Sequence, residues 1–233
     1  NFNWVFNKAN RGKHYMWAAC DDLWNPEFIS TLYNVIHKES QIKLAFCFFE
    51  SITYDGLNKT KLNDLRHLEV NGSFWRAWHY IIGNEKDGKA NPIHGIFKRS
   101  TLVDVGGFKL WSDSDWGPDM LFVFSVLLKG NIKVVDKVLF QKRSAKIKPI
   151  KDQSKRQAAC FLGRGIGEEI RVTKACRRID YFNAYNRVIY ELGGFNYFQR
   201  LALRLALCAR SLKYYRKKYV HSFLAKYYHL LSD

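Results

Sequence analysis

Several features that define common protein classes are missing from this sequence. Its five cysteines form no CxxC pair, so neither a disulfide framework nor a zinc knuckle is predicted, and a reducing, cytosolic setting fits better. The N-terminus carries no secretory signal, and the best candidate for a membrane span, residues 201–208, is short and contains Arg204. No internal repeat and no low-complexity tract is present. These absences argue against disulfide-rich secreted, membrane-spanning and repeat architectures.

The composition predicts a packed core. The chain has 233 residues and a mass of 27.4 kDa, with 47% apolar and 25% charged residues. This is typical of a globular protein and long enough for one domain, or for one domain plus an appendage. The chain starts without methionine and leads into a strand-like segment, so we expect that upstream sequence is missing.

Positive charge is concentrated in the C-terminal third. The formal net charge is +17, and residues 151–233 contain 17 lysines and arginines but 6 acidic residues. Because the sequence there becomes long, basic and helical in pattern, we predict a boundary near residue 150. It separates an α/β domain over residues 1–150 from a basic helical appendage over residues 151–233. A basic surface favours anionic partners, among them nucleic acid, acidic lipid headgroups and phosphorylated substrates.

Residues 14–54 predict a strand, a helix and a second strand. The first strand covers residues 14–20 and ends at two aspartates, and Asn25-Pro26 is a suitable helix start. Apolar residues then recur at helical spacing before the apolar run of residues 42–54, and a strand, helix and strand in this order imply a parallel sheet. The remaining pattern predicts a loop with a short helix over residues 55–72, helices over 73–83, 100–105 and 118–129, a strand over 92–97, a tight turn at Gly106-Gly107, and a strand pair or one bent strand over 132–143.

Asp21 and Asp22 fall where the first strand ends. In parallel α/β sheets, ligands bind beyond the carboxyl ends of the strands. Two adjacent carboxylates repel each other unless a cation lies between them, and oxygen ligands suit Mg²⁺ or Mn²⁺ holding a diphosphate. The pair is therefore predicted to be a cation site. The alternative is that one aspartate caps the helix starting near Pro26 and the other is solvated.

A second acidic segment contains Asp113, Asp115 and Asp119 around Gly117-Pro118. Asp119 is placed in the first turn of a helix, where the helix dipole favours its ionised form, and partial burial would let it accept a proton from a substrate hydroxyl. Asp119 is therefore the candidate base. The alternative is a first-turn aspartate with no further role.

Three segments together resemble a known family: GKHYMWAACDDLWNPEFI, NPIHGIFKRSTLVDVGGF and SDWGPDMLFVFSVLLKGNIKVVDKVLFQKR. In this order they are similar to the later part of bacterial family 2 glycosyltransferases of the GT-A, or nucleotide-diphospho-sugar transferase, fold, over roughly residues 1–145. The resemblance implies an α/β fold with a partial GT-A, Rossmann-like sheet and flanking helices, followed by a basic helical C-terminal appendage.

The resemblance also implies roles for individual residues. The acidic motif that holds the divalent cation, Mn²⁺ or Mg²⁺, and the donor diphosphate in that family matches Asp21 and Asp22. Its acidic base matches Asp119, with Asp115 as a second candidate. Substrate contacts are expected at His94, Gly95, Gly106, Gly107 and Trp116, and phosphate contacts at Lys142 and Arg143; the alternatives are a core position for Trp116 and a solvated basic strand end for the two cations.

Two departures from the family pattern qualify this picture. Ala19 and Cys20 stand where many relatives have acids, so the cation site depends chiefly on Asp22. The family's nucleotide-binding half, which would precede Asn1, is not in the sequence, and donor binding by this chain alone is therefore an open question.

The function that the resemblance implies is inverting transfer of a sugar from a UDP- or GDP-sugar to a saccharide or lipid-linked hydroxyl acceptor, in cell-surface polysaccharide or glycolipid synthesis. No acidic residue lies between Glu191 and Asp233, so the tail is expected either to contact an anionic membrane or to pack on the catalytic domain. The expected location is cytoplasmic, peripheral on the inner face of the cell membrane.

Two alternative functions stay open. One is a catalytically incomplete remnant of a transferase. The other is a basic nucleic-acid-binding protein, but the sequence has no RNP-like, zinc-finger or helix-turn-helix signature. Nucleic acid is therefore not the expected partner.

Overall fold

The structure is a computed structural model, and it describes residues 2–9, 12–53, 55–109, 111, 117–143 and 174–212. Helices and strands alternate along most of this length. The helices are α1 (Phe2–Lys8), α2 (Phe28–Lys38), α3 (Ser73–Ile82), α4 (Arg99–Asp104), α5 (Pro118–Lys129), α6 (Lys174–Leu192) and α7 (197–212), and the strands are β1 (His14–Tyr15), β2 (Leu23–Trp24), β3 (Ile42–Ile52), β4 (Lys59–Asn63), β5 (Ile96–Lys98) and β6 (Asn131–Arg143). Short 3₁₀ helices cover Arg66–Leu68, Glu85–Asp87 and Asn91–His94.

The six strands form one mixed sheet with the order β1-β5-β3-β6-β2, and β4 pairs with the far end of β3. Strands β3 and β6 are parallel, and the other ladders between these strands are antiparallel. The order of β1, α2 and β3 predicted a parallel sheet, and the strands that pair in parallel are instead β3 and β6. Strands β1 and β3 also run in the same direction, but the antiparallel strand β5 lies between them.

The helix predictions from the sequence are confirmed for α2, α3, α4 and α5, to within a few residues at each end. Helix α2 buries Phe28, Leu32 and Ile36 at the predicted spacing. Helix α5 is buried along most of its length, because it lies under the sheet and contacts both α3 and α6.

Three strand predictions need correction. The ladder of β1 ends at Tyr15, because its partner β5 starts only at Ile96, after a 3₁₀ helix that contains Pro92. Half of the strand predicted over residues 92–97 is that helix. Strand β4 was predicted as loop, since its polar sequence KTKLN lacks an apolar alternation; it pairs with the bulged end of β3 and forms an ion pair between Lys59 and Glu50.

The core is rich in aromatic rings and extends into the C-terminal third. Phe46, Phe49 and Phe140 lie together at the centre of the sheet. Tyr185 of α6 packs against Phe124 of α5 with a centroid separation of 4.9 Å. Helix α6 therefore belongs to the same hydrophobic core as the sheet. The predicted boundary near residue 150 lies outside the described residues.

Candidate functional site

The turn that carries Asp21 and Asp22 is anchored to the end of strand β6. Asp22 is 9% exposed, and its Oδ1 accepts a hydrogen bond of 2.9 Å from the backbone N–H of Arg143. The Arg143 side chain donates through Nε to the backbone carbonyl of Asp21 at 3.0 Å. Asp21 itself is exposed. The acidic pair and the basic strand end, which are far apart in the sequence, therefore lie together.

Strand pairing explains this placement. Strand β2 follows the acidic turn and pairs with β6, with Trp24 opposite Phe140. The turn therefore lies beside the last residues of β6, Lys142 and Arg143. Because β3 and β6 are parallel and end side by side, with Ile52 opposite Arg143, the site lies at the carboxyl ends of the central strands, where α/β proteins generally bind ligands.

His94 lies at the same end of the sheet, among aromatic rings. Its Nδ1 is 3.0 Å from the backbone carbonyl of Trp17, and its ring packs against Phe140 and Trp24 with centroid distances of 5.5 and 6.1 Å. A carbonyl oxygen only accepts hydrogen bonds, so this contact assigns the proton of the neutral imidazole to Nδ1. The other ring nitrogen, Nε2, is then an acceptor.

The electrostatics of His94 connect the two acidic segments. Burial is the main cause that lowers the pKa of His94, and Lys142 lowers it further; Asp22 and Asp119 act in the opposite direction. The imidazole is therefore neutral at physiological pH. Since Asp22 and Asp119 both act on this one ring, the predicted cation ligand and the predicted base lie in the same electrostatic neighbourhood.

Asp119 is held in the first turn of α5. It is half-buried, and its Oδ1 accepts a hydrogen bond of 2.9 Å from the backbone N–H of Met120. The helix begins at Pro118, directly after Gly117, which has a φ of +71°. This places a carboxylate at the positive end of a largely buried helix.

Three glycines were predicted as substrate contacts, and the structure requires glycine at these positions for different physical reasons. A Cβ at Gly95 would lie 2.4 Å from the carbonyl oxygen of Ala45, so this glycine allows β5 to approach β3 closely. Gly106 and Gly107 have φ values of +77° and +71° and form the turn after α4. Asn3 of α1 fixes this turn through two hydrogen bonds with the backbone of Phe108, of 2.7 and 3.0 Å.

Asp115 and Trp116, which were predicted as a second base candidate and a sugar-stacking residue, lie outside the described residues, as does Asp113. The described site therefore consists of Asp21, Asp22, His94, Asp119, Lys142 and Arg143. These side chains come from four separate parts of the sequence.

Sequence reasoning missed two contributors at this edge of the sheet. Trp24 was not singled out, but it packs on His94 and Phe28. Asp55 follows β3; hydrogen bonds from the Thr53 hydroxyl and the Leu57 N–H lower its pKa, and Arg143 contributes to the same shift. Its position directly after a predicted strand would have identified Asp55 as a candidate.

The donor set can be compared with what a divalent cation requires. One carboxylate oxygen of Asp22 accepts a hydrogen bond from the Arg143 N–H. Within the described part of the chain, its other oxygen accepts none. The exposed side chain of Asp21 also accepts none there. Mg²⁺ commonly binds to one or two carboxylates and completes its shell with water and substrate phosphates. The pair fits that mode, although the described residues contain no cluster of three or more histidine, cysteine, aspartate or glutamate side chains that would hold a metal alone.

Comparisons with known proteins show only a distant structural likeness. No protein-family model matches the chain, and no curated protein sequence matches it. The crystal structure of S. aureus TarS 1-349, a glycosyltransferase, is similar with a TM-score of 0.43 and 14% identity, covering 92% of this chain and 70% of that chain. At this TM-score the likeness is weak and carries no functional argument. The description of the fold therefore remains that of a mixed α/β sheet with flanking helices.

Proposed function

We propose that this protein is a glycosyltransferase that moves a sugar from a nucleoside-diphosphate donor to a hydroxyl acceptor. The observation that carries the proposal is the hydrogen bond from the Arg143 backbone to Asp22 at the end of β6, together with the action of Asp22, Asp119 and Lys142 on the pKa of His94. A transferase of this kind needs a carboxylate to accept a proton and a cationic region to hold a diphosphate. Both are present at the carboxyl edge of this sheet.

Asp119 is the proposed base. Its carboxylate would take the proton of the acceptor hydroxyl while the oxygen attacks the anomeric carbon from the face opposite to the leaving group. The bond from that carbon to the diphosphate oxygen breaks, so the sugar is transferred with inversion and the nucleoside diphosphate leaves. Neutral His94, with Nε2 as an acceptor, would hold a donor or acceptor hydroxyl in place.

Asp21 and Asp22 are the proposed ligands of Mn²⁺ or Mg²⁺. Such a cation, when bound, neutralises charge on the departing diphosphate. Lys142 and Arg143 would contact phosphate oxygens from the β6 side, and the hydrogen bonds between Arg143 and the acidic turn keep the two halves of the phosphate site together. A UDP- or GDP-sugar is the proposed donor, and a saccharide or lipid-linked alcohol is the proposed acceptor.

A peripheral position on an anionic membrane is proposed for helix α7. One face of this helix packs in the core through Leu203 and Leu207. The opposite face is apolar but exposed, Phe198 being 78% exposed, and no acidic residue follows Glu191 before Asp233. Residues on that face are Tyr197, Phe198, Leu201, Leu205 and Leu212, with Arg204 beside them. An apolar stripe in a basic segment is suited to shallow insertion among anionic lipids. In the described part of the chain, no helix has the length and apolar character needed to cross a bilayer.

The proposal predicts that Asp119→Asn abolishes transfer while the protein stays folded. Release of nucleoside diphosphate from a panel of UDP- and GDP-sugars, with Mn²⁺ and simple saccharide acceptors, measures this. We expect the variant to lose about 10³-fold or more in kcat, since the proton acceptor is gone. Asp104→Asn, an exposed aspartate at the end of α4, is the matched control and should retain activity. Full transfer by Asp119→Asn would remove Asp119 from this role.

A further inference from the structure

A cavity lies beside strand β1, at the opposite edge of the sheet from the candidate site. It has a volume of about 700 Å³ and is bounded by the start of β1, the end of α2 and the junction of β5 with α4. The cavity contains a concentration of positive charge, and none of the described residues in its wall is acidic. Its basic side chains are Lys13, His14, His37, Lys38, Lys98 and Arg99.

Two of these cations are fixed by neutral partners. Lys98 Nζ donates to the backbone carbonyls of Glu39 and Ser40 at 3.0 and 2.8 Å, at the end of α2. Arg99 donates to the carbonyl of Ala9 at 2.7 Å, and its guanidinium lies 4.3 Å from the centroid of the Phe6 ring. Carbonyls and rings orient these charges without neutralising them. Lys98 and Arg99 therefore place fixed positive charge in the wall of the cavity.

The two histidines form one side of the cavity. The ring of Tyr33 separates them, with centroid distances of 5.2 Å to His14 and 5.3 Å to His37. Burial is the first cause that lowers the pKa of His14, and Lys98, His37 and Lys13 add to it. The charged groups that lower this pKa are therefore all basic, and a bound anion would offset the repulsion between them.

We propose that this cavity is a binding site for a phosphate-bearing anion, separate from the donor site at Asp22. Lys13 and Lys38 would supply the mobile charges that close on the ligand, because within the described residues neither side chain forms a hydrogen bond or an ion pair. The fixed charges of Lys98 and Arg99 would set the position of the ligand. A free phosphate compound and the phosphate groups of a polymer present the same chemistry to these side chains.

Calorimetric titration with inorganic phosphate and with tripolyphosphate, without divalent cations, tests the site. We expect saturable binding of tripolyphosphate to the full chain, and about tenfold weaker binding by Lys13→Ala/Lys38→Ala. The matched control is Lys133→Ala/Lys137→Ala, which removes two exposed lysines from β6 and should change the affinity less than twofold. Lys13→Arg/Lys38→Arg, which keeps the charge, should bind like the wild type.

The outcomes separate the proposal from general attraction to a basic protein. Equal losses in the two double-alanine variants, or no saturable binding by the folded wild type, would overturn it. Equal binding of phosphate and tripolyphosphate would support a site for one phosphate group, and binding of tripolyphosphate alone would support a site for several linked phosphates. Asp22→Asn should leave this binding intact; its loss there would place the anion in the candidate active site instead.

Discussion

Single buried charges in this protein have two kinds of environment. Among the described residues Arg76, Lys89 and Asp22 are the buried charged side chains. Arg76 donates to the carbonyl of Leu127 at 2.7 Å and to the side chain of Asn131 at 2.6 Å, and Lys89 donates to the carbonyl of Tyr80 at 2.9 Å. Both cations thus stabilise backbone around the core. Asp22 differs, because within the described residues one of its oxygens has no donor, next to the exposed carboxylate of Asp21. This difference favours a ligand-binding role.

Lys89 gives a prediction about pH and stability. It is 2% exposed, and burial lowers the pKa of its amine to about 8 from 10.5. Between these values the unfolded chain binds more protons than the folded chain, so the free energy of unfolding should rise with pH. We expect a gain of about 1.5 kcal/mol from about pH 8 to about pH 9.5.

Urea unfolding at several pH values, followed by circular dichroism, measures this gain. Lys89→Met should remove it, because methionine fills similar space without a charge. Lys61→Met, at an exposed lysine of β4, should keep it. The same pH slope in wild type and Lys89→Met would show that other groups cause the effect.

At the scale of elements, close approaches of backbone decide how β5 meets the rest of the sheet. Strand β5 has three residues and pairs with both β1 and β3. Gly95, just before it, lies against Ala45 of β3. The chain can therefore turn from the 3₁₀ helix that ends at His94 into β5 while keeping His94 at the candidate site.

Replacing Gly95 or Gly106 with alanine should lower the stability of the protein by different amounts. Gly95→Ala should destabilise the protein by about 3 kcal/mol, because its Cβ would overlap a backbone oxygen that cannot move aside. Gly106→Ala should cost about 1 kcal/mol, because no atom lies within 4 Å and only the positive φ is unfavourable. Thermal or urea unfolding of the two variants compares these values. A larger loss for Gly106→Ala would contradict the packing argument.

The proposed membrane contact of helix α7 predicts that the protein binds to anionic bilayers. Replacing Leu201 and Leu205 with serine removes exposed apolar area from the stripe without touching the buried face. Co-sedimentation with phosphatidylglycerol-containing vesicles should fall at least about tenfold in this double variant. Leu57→Ser/Leu62→Ser, at exposed leucines outside α7, is the control. Unchanged vesicle binding, or an equal loss in the control, would contradict a membrane role for this face.

For the whole molecule, the sequence predicted the elements that depend on local pattern better than those that depend on pairing between distant segments. Periodicity identified α2, α3 and α5, since a buried stripe or an apolar run bounded by Gly and Pro is visible within a dozen residues. The short strand β4 and the insertion of β5 between β1 and β3 depend on partners far along the chain, and the sequence contains no local signal for them.

The candidate site shows the same division. Asp21, Asp22, Lys142 and Arg143 were each predicted from their position at strand ends, but the hydrogen bonds that join Arg143 to the acidic turn arise only from the pairing of β2 with β6. The packing of His94 between Trp24 and Phe140 likewise depends on three separate segments. Residue types at strand ends therefore indicate the chemistry, and the topology determines which of them meet.

We propose that the acidic turn and the end of β6 form a cation-dependent diphosphate site. Calorimetric titration of the purified chain with UDP and GDP, with and without Mn²⁺, tests this site. We expect binding that requires Mn²⁺ and is lost in Asp22→Asn, while Asp104→Asn binds like the wild type. Absence of nucleotide binding by the folded protein, or binding that neither Mn²⁺ nor Asp22 affects, would contradict it.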